Sequence, residues 1–196
     1  MKSERLIKVD SLDNAISAIS KLDAHSPPTL HRAFSVLLFK NSKLLLQKRS
    51  SHKLTWPNCW TNTCCSHPHW NEQGYSGILS AIDRKLNDEL GINSAGFKFM
   101  FLGKILYKSI YNNEFGEYEM DYILACNVDD LEFSINEQEV SESMFVDREK
   151  LEWVLSNEQV TPWFRLICND YIKNWWDELD KTGKITENDG IILSSV

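Results

Sequence analysis

The sequence predicts an α/β (α+β) domain with a mixed central β-sheet packed between helices. Three observations carry that prediction. Apolar runs of strand length recur along the chain, helical spacing appears between them, and 196 residues suffice for one domain with a full core. Residues 1–196 are therefore expected as one domain, with an N-terminal extension to about residue 20 and a loosely ordered tail after Gly183.

The elements follow in order. Residues 33–39 and 44–48 are apolar β-like runs around the polar turn Lys40-Asn41-Ser42-Lys43, which reads as a hairpin. From Arg49 to Pro68 the pattern breaks into Ser, Pro, Asn, Thr and Cys, a long loop with one short strand, and long loops inside domains usually serve function. Residues 76–90 have helical spacing, with Ile78, Leu79, Ile82, Leu86 and Leu90 on one stripe and Gly91 as the stop. Residues 97–110 are strand-like, Asn112-Asn113 marks a turn, and residues 117–126 alternate again. A strand at 144–146 leads to Asp147 as an N-cap for a helix to about Leu155. Thr161-Pro162 supplies a cap and an N1 proline for a helix over 163–179.

Charge and composition exclude several function classes. A net charge of −7 opposes nonspecific nucleic-acid binding, which needs a basic surface. No apolar run reaches the length of a membrane span. The first nine residues are charged and do not read as a signal peptide, so a cytoplasmic protein, monomer or weak homodimer, is expected. The five cysteines form no C-x-x-C pair, and adjacent Cys64 and Cys65 would bridge only with strain, so reduced thiols are expected.

Chemistry gathers in three places. His25, His31 and His67 with Glu117 and Glu119 make a nitrogen- and oxygen-rich set that suits Mn, Fe or Zn. Glu117, Glu119 and Asp121 share one strand face by period-two alternation. His52 and His69 are rival ligands, and spacing does not choose among the histidines. Lys21, Arg49, Lys53 and Lys85 form a set suited to phosphate oxygens. The helix end Arg84-Lys85-Leu86-Asn87-Asp88-Glu89-Leu90-Gly91-Ile92 resembles the end of a Nudix box, the helix that carries metal-binding carboxylates for diphosphate hydrolysis. It departs from that box at Lys85 and Asp88, where glutamates are expected, and upstream at Trp70 and Ser76. Lys85 and Glu89 share a helix face, as an ordinary surface ion pair or as a phosphate-and-Mg²⁺ site.

Longer segments resemble one family. His31-Arg32-Ala33-Phe34-Ser35, Gln47-Lys48-Arg49-Ser50, Thr61-Asn62-Thr63-Cys64-Cys65-Ser66-His67-Pro68, Glu117-Tyr118-Glu119-Met120-Asp121-Tyr122 and Thr161-Pro162-Trp163-Phe164 look like type I isopentenyl-diphosphate Δ-isomerases. The resemblance runs from about Lys21 to Trp176 and implies a Nudix-like fold that interconverts isopentenyl and dimethylallyl diphosphates. It implies Cys65 and Glu119 as the acid–base pair, with Tyr107 assisting. It implies His25, His31, His67, Glu117 and Glu119 around one divalent ion, Mn or Zn, and Glu89 on a Mg²⁺ that bridges to the diphosphate. Lys21, Arg49, Lys53 and Lys85 would contact the diphosphate, with Ser66 nearby, and Trp163 would face a carbocation. A diphosphohydrolase and a Cys-closed structural metal domain are the rival readings.

Overall fold

The computed structural model describes residues 4–183 and 191–193. The expected hairpin is present as β3 (His31–Lys40) and β4 (Lys43–Arg49). Asn41 and Ser42 turn it with φ of 50° and 54°, the doubly positive pair that a tight hairpin requires. The two strands pair only at Phe39↔Leu44 and Lys40↔Lys43, then part. The fork is filled by β5 (Trp60–Thr61) on β4 and β6 (Cys64–Ser66) on β3, so the long loop carries two short strands where one was expected. Strand β8 (Gly116–Asn127) runs parallel to β3, β7 (Met100–Ile110) runs antiparallel to β8, and β9 (Val140–Val146) runs antiparallel to β4. The sheet is therefore mixed.

Alternation along the central strands sorts the two faces. Phe34, Val36 and Leu38 of β3, with Leu124 and Cys126 of β8, meet Ile78, Ile82, Leu86 and Leu90 of α2 (Gly74–Leu90). Gly91 ends that helix at φ 61°, its N–H on the Asn87 carbonyl, as the stop signal predicts. Leu37 and Phe39, with Ile123 and Ala125, meet the C-terminal helices through Trp163, Phe164, Ile167 and Trp176. Glu117, Glu119 and Asp121 keep step with Ile123 and Ala125, so their side chains issue on the C-terminal-helix side.

Three expectations are corrected. Residues 5–20 are not an extension: β1 (Arg5–Val9) and β2 (Ala15–Ser20) form a hairpin, and β1 joins the sheet at Lys8↔His31. Its turn is tied down at Asp13, which accepts from Arg32 Nε at 2.9 Å, Lys104 Nζ at 2.5 Å and the Tyr122 hydroxyl. The helix expected over 163–179 is broken into α4 (Pro162–Ile167), a π-helical turn (Cys168–Ile172) and α5 (Lys173–Thr182). Pro162 sits at the start as read, but the Thr161 hydroxyl bonds Thr61 Oγ1 at 2.8 Å instead of capping. The tail is not loose at residues 191–193, where β10 (Ile191–Leu193) lies parallel to β7, while 184–190 and 194–196 fall outside the described residues. Two shorter helices complete the order: α1 (Lys21–His25), capped by Ser20, and α3 (Arg148–Asn157), capped by Asp147 as predicted. Among the described residues no helix is long and apolar enough to cross a membrane.

Candidate active site

Strand register sets up the site. Tyr107 on β7, Glu119 on β8 and His31 on β3 occupy one row across the sheet, and Cys65 on β6 pairs with Ser35 on the other side of β3. Residues from both arms of the fork line a cavity of about 380 Å³, a size usual for small-ligand sites. Every site residue expected from the sequence lines it except His31, which is fully buried.

Five donors meet at its base. One ligating atom each from His25, His31, His67, Glu117 and Glu119 falls within 4.8 Å of all the others. The three imidazole centroids lie 4.8, 5.0 and 5.2 Å apart. Backbone carbonyls fix two of the rings: His25 Nδ1 lies 2.6 Å from the Lys21 oxygen and His31 Nδ1 2.7 Å from the Thr29 oxygen. Each Nδ1–H is thereby the donor, leaving Nε2 with its lone pair toward the centre. His31 Nε2 and Glu117 Oε2 are buried without a hydrogen-bond partner, although His25 Nε2 is 2.9 Å from Glu117 Oε2. Buried polar atoms are normally satisfied, so two orphans aimed into one nest of imidazoles and carboxylates fit a divalent cation. The set holds no cysteine and exceeds four ligands, which counts against a Cys-closed structural zinc site. The rivals stand apart: His52 lines the cavity beside Ser50, and the His69 backbone N–H binds Glu72.

Electrostatics agrees with that donor set. Burial opposes ionisation of Glu119, but the His31 and His67 imidazoles hold it well below the usual carboxylate range. Burial brings His67 down to about 3, against the pull of Glu119, so its ring is neutral. A neutral imidazole and an ionised carboxylate are the forms that ligate metals. Glu117 is raised by burial and by the Glu119 charge, a repulsion that a cation between them removes. In the same cavity, burial pushes the Cys65 thiol up to about 12, although Arg49 draws it down, with Nη1 4.0 Å from Sγ. The Tyr107 hydroxyl donates to Glu119 Oε2, and burial with that carboxylate raises its pKa well above the ordinary phenol. Trp163 closes the wall, with the Arg49 guanidinium 5.4 Å from its ring centroid and Trp56 edge-on at 5.5 Å.

The cationic end is built differently. Glu89 is only 1% exposed, so its pair with Lys85 at 3.3 Å is no ordinary surface contact. Lys53 stands 3.0 Å away, and Gln47 Nε2 and the Cys64 thiol also donate to Glu89. Burial works against its charge, yet Lys53 and Lys85 win and lower it to about 2. Arg49 is buried and Lys21 is half exposed against Glu4. Sequence reasoning missed Thr55, Gln138 and Glu139 in the lining and Gln47 behind it. Thr55 and Gln138 carry no motif signal. Gln47 stands inside a quoted motif, where its neighbour Arg49 took the attention.

The geometry accords with known proteins. Residues 29–164 match the NUDIX domain. The chain is 40% identical to "Isopentenyl-diphosphate Delta-isomerase I, chloroplastic" of Arabidopsis thaliana, over 95% of this chain and 71% of that protein. It is also 40% identical to "Isopentenyl-diphosphate Delta-isomerase I" of Camptotheca acuminata, over 92% and 86%. A crystal structure from Deinococcus radiodurans superposes with TM-score 0.64 at 18% identity over 86% of this chain and 99% of that one, a likeness of fold. The cytoplasmic expectation is corrected: two Arabidopsis relatives, at 40% and 39% identity, are named chloroplastic. With a NUDIX domain over most of its length and relatives this similar across nearly all of it, the chain belongs to the isopentenyl-diphosphate Δ-isomerase family.

Proposed function

We propose that the chain moves the double bond of isopentenyl diphosphate to give dimethylallyl diphosphate, with Cys65 and Glu119 as its two proton carriers. The observation that carries the reading is one cavity lined together by Cys65, Glu119, Tyr107, Arg49, Lys53 and Lys85. A small-molecule diphosphate is the substrate class, and a chain of net charge −7 meets it with locally opposed charge.

The chemistry follows from that layout. One carrier gives a proton to the terminal carbon of the alkene, whose π electrons form the new C–H bond and leave a tertiary cation at the adjacent carbon. The other carrier takes a proton from the carbon on the far side, and that C–H electron pair becomes the new double bond. Net, one proton enters and one leaves. General acid–base help contributes roughly a hundred- to ten-thousand-fold per group. Tyr107, on Glu119 Oε2, holds a proton beside that carboxylate. Trp163 offers its π face to the cation, worth about 2 kcal/mol when desolvated. Ser66 borders the same space.

His25, His31, His67, Glu117 and Glu119 would hold the divalent ion, Mn or Zn, and Glu89 would hold Mg²⁺ against the diphosphate. Such cations would supply a fixed Glu119 carboxylate and a neutralised phosphate charge. Arg49, Lys53, Lys85 and Lys21 bind the diphosphate as a handle, so that binding energy remote from the reacting carbons orients the alkene. A hydrolase is less well supported: Lys85 stands where the Nudix box has a glutamate, and it engages Asp88 at 2.7 Å. The test is Cys65→Ala, assayed by NMR for exchange of solvent deuterium into isopentenyl diphosphate. Exchange should vanish while circular dichroism stays native; wild-type exchange in that variant removes the mechanism.

A further inference from the structure

Thr55 lies in the bend between β4 and β5, 4% exposed, in a loop where nothing about a lone threonine draws notice. Its hydroxyl donates to Glu117 Oε1 at 3.1 Å. Its carbonyl accepts from Arg49 Nη2 at 2.9 Å, and the next carbonyl, that of Trp56, accepts from Arg49 Nε at 3.1 Å. Trp56 sits at φ 42°, a left-handed conformation that costs a bulky residue, so this bend is held in place by its contacts.

We propose that Thr55 is a positioning residue that aims Glu117 at the metal cluster and links that aim to Arg49. The inference rests on the reading above, in which that cluster holds a divalent cation. With Oε1 taken by the Thr55 hydroxyl, the carboxylate can rotate little, and the unpartnered Oε2 is the oxygen turned toward His25 and the centre of the cluster. Partners one step behind a metal ligand typically set about 10- to 100-fold in metal affinity. A hydrogen-bond donor is what the position needs. Valine matches threonine in shape but leaves a buried carboxylate oxygen without its partner. The second role follows from the same residue: two consecutive carbonyls hold the guanidinium fork, so a displaced Thr55 releases Arg49 at the diphosphate end.

The test is equilibrium dialysis with Mn²⁺ alone on wild type, Thr55→Val and Thr55→Ser, alongside steady-state kinetics. Thr55→Val should bind Mn²⁺ about 10- to 100-fold more weakly, and Thr55→Ser within a few-fold of wild type. At saturating Mn²⁺, Thr55→Val should regain kcat while KM for isopentenyl diphosphate stays raised. Equal Mn²⁺ affinity in wild type and Thr55→Val overturns the proposal, as does a serine variant as weak as the valine one. A wild type that binds no Mn²⁺ sinks the metal reading itself, and this proposal with it. Should Thr55→Val fail to fold, Thr55→Ala carries the same expectation, judged against the same serine rescue.

Discussion

The two ends of the cavity are built on opposite principles. At the His/Glu end, like groups converge and buried atoms are left unpaired: His31 Nε2 and Glu117 Oε2 face a shared centre with no hydrogen-bond partner. At the Lys/Glu end the charged groups are already paired, with Glu89 enclosed by Lys53, Lys85, Gln47 and Cys64, and Lys53 also held by Glu139, although Gln47 Oε1 is left without a partner. The first arrangement is compatible with a divalent cation, which would satisfy the unpaired atoms. The second is already paired, so on the proposed reading a diphosphate would exchange partners with the lysines.

Glu119→Gln should strike the first end hardest, since on the proposed reading it removes a proton carrier and a ligand together. Activity should fall by about ten-thousand-fold or more, and bound metal measured by elemental analysis should drop with it. Stoichiometric metal in that variant would separate the two roles assigned to one carboxylate. Chelation of divalent cations from wild type comes next: isomerisation should disappear by NMR and return on adding Mn²⁺ or Zn²⁺, and activity surviving exhaustive chelation would deny the first end its cation.

The second end is probed by Lys53→Ala. Glu89 keeps Lys85 but loses its nearest ammonium, so stability in urea should fall on the order of 2 kcal/mol. KM for isopentenyl diphosphate should rise about tenfold with a smaller change in kcat. An unchanged KM would show that this network is structural only. The smallest effect lies behind the His67 wall, where Arg84 bonds the His67 carbonyl at 3.3 Å and Glu72 at 3.1 Å. Burial would raise Glu72, but Arg84 and the His69 N–H lower it below 4.5. A depressed folded pKa means that its stabilisation is complete above the ordinary value and is lost as pH falls through the depressed one. Glu72→Gln should therefore lower urea resistance slightly at neutral pH and converge with wild type as pH falls below 4.5; parallel curves for variant and wild type would remove that contribution.

Legibility in the sequence followed how local each signal was. The hairpin turn at Asn41-Ser42, the Gly91 stop and the Asp147 cap depend on neighbours within a few residues, and each was readable. Strand β2 was not, because its side chains are exposed or only half-buried and show no apolar alternation; its place comes from pairing with β1. The π-helical turn at Cys168–Ile172 likewise has no local signature. In the site, alternation put Glu117, Glu119 and Asp121 on one face, yet Asp121 accepts from Ser35 at 2.8 Å and stands outside the five-donor set. Which histidines converge was a matter of topology: α1, β3 and the segment after β6 deliver His25, His31 and His67, while His52 and His69 stay outside the five-donor set. The resemblance picked out that set; spacing alone left it open.

The central claim is that two different groups handle the entering and the leaving proton. Isopentenyl diphosphate carrying deuterium at both positions of C2, turned over once in ordinary water, reports on this directly by mass spectrometry and NMR. The account predicts dimethylallyl diphosphate with one deuterium at C2 and none in the new methyl group. Deuterium carried from C2 into that methyl group would mean that a single group does both jobs, and would contradict it.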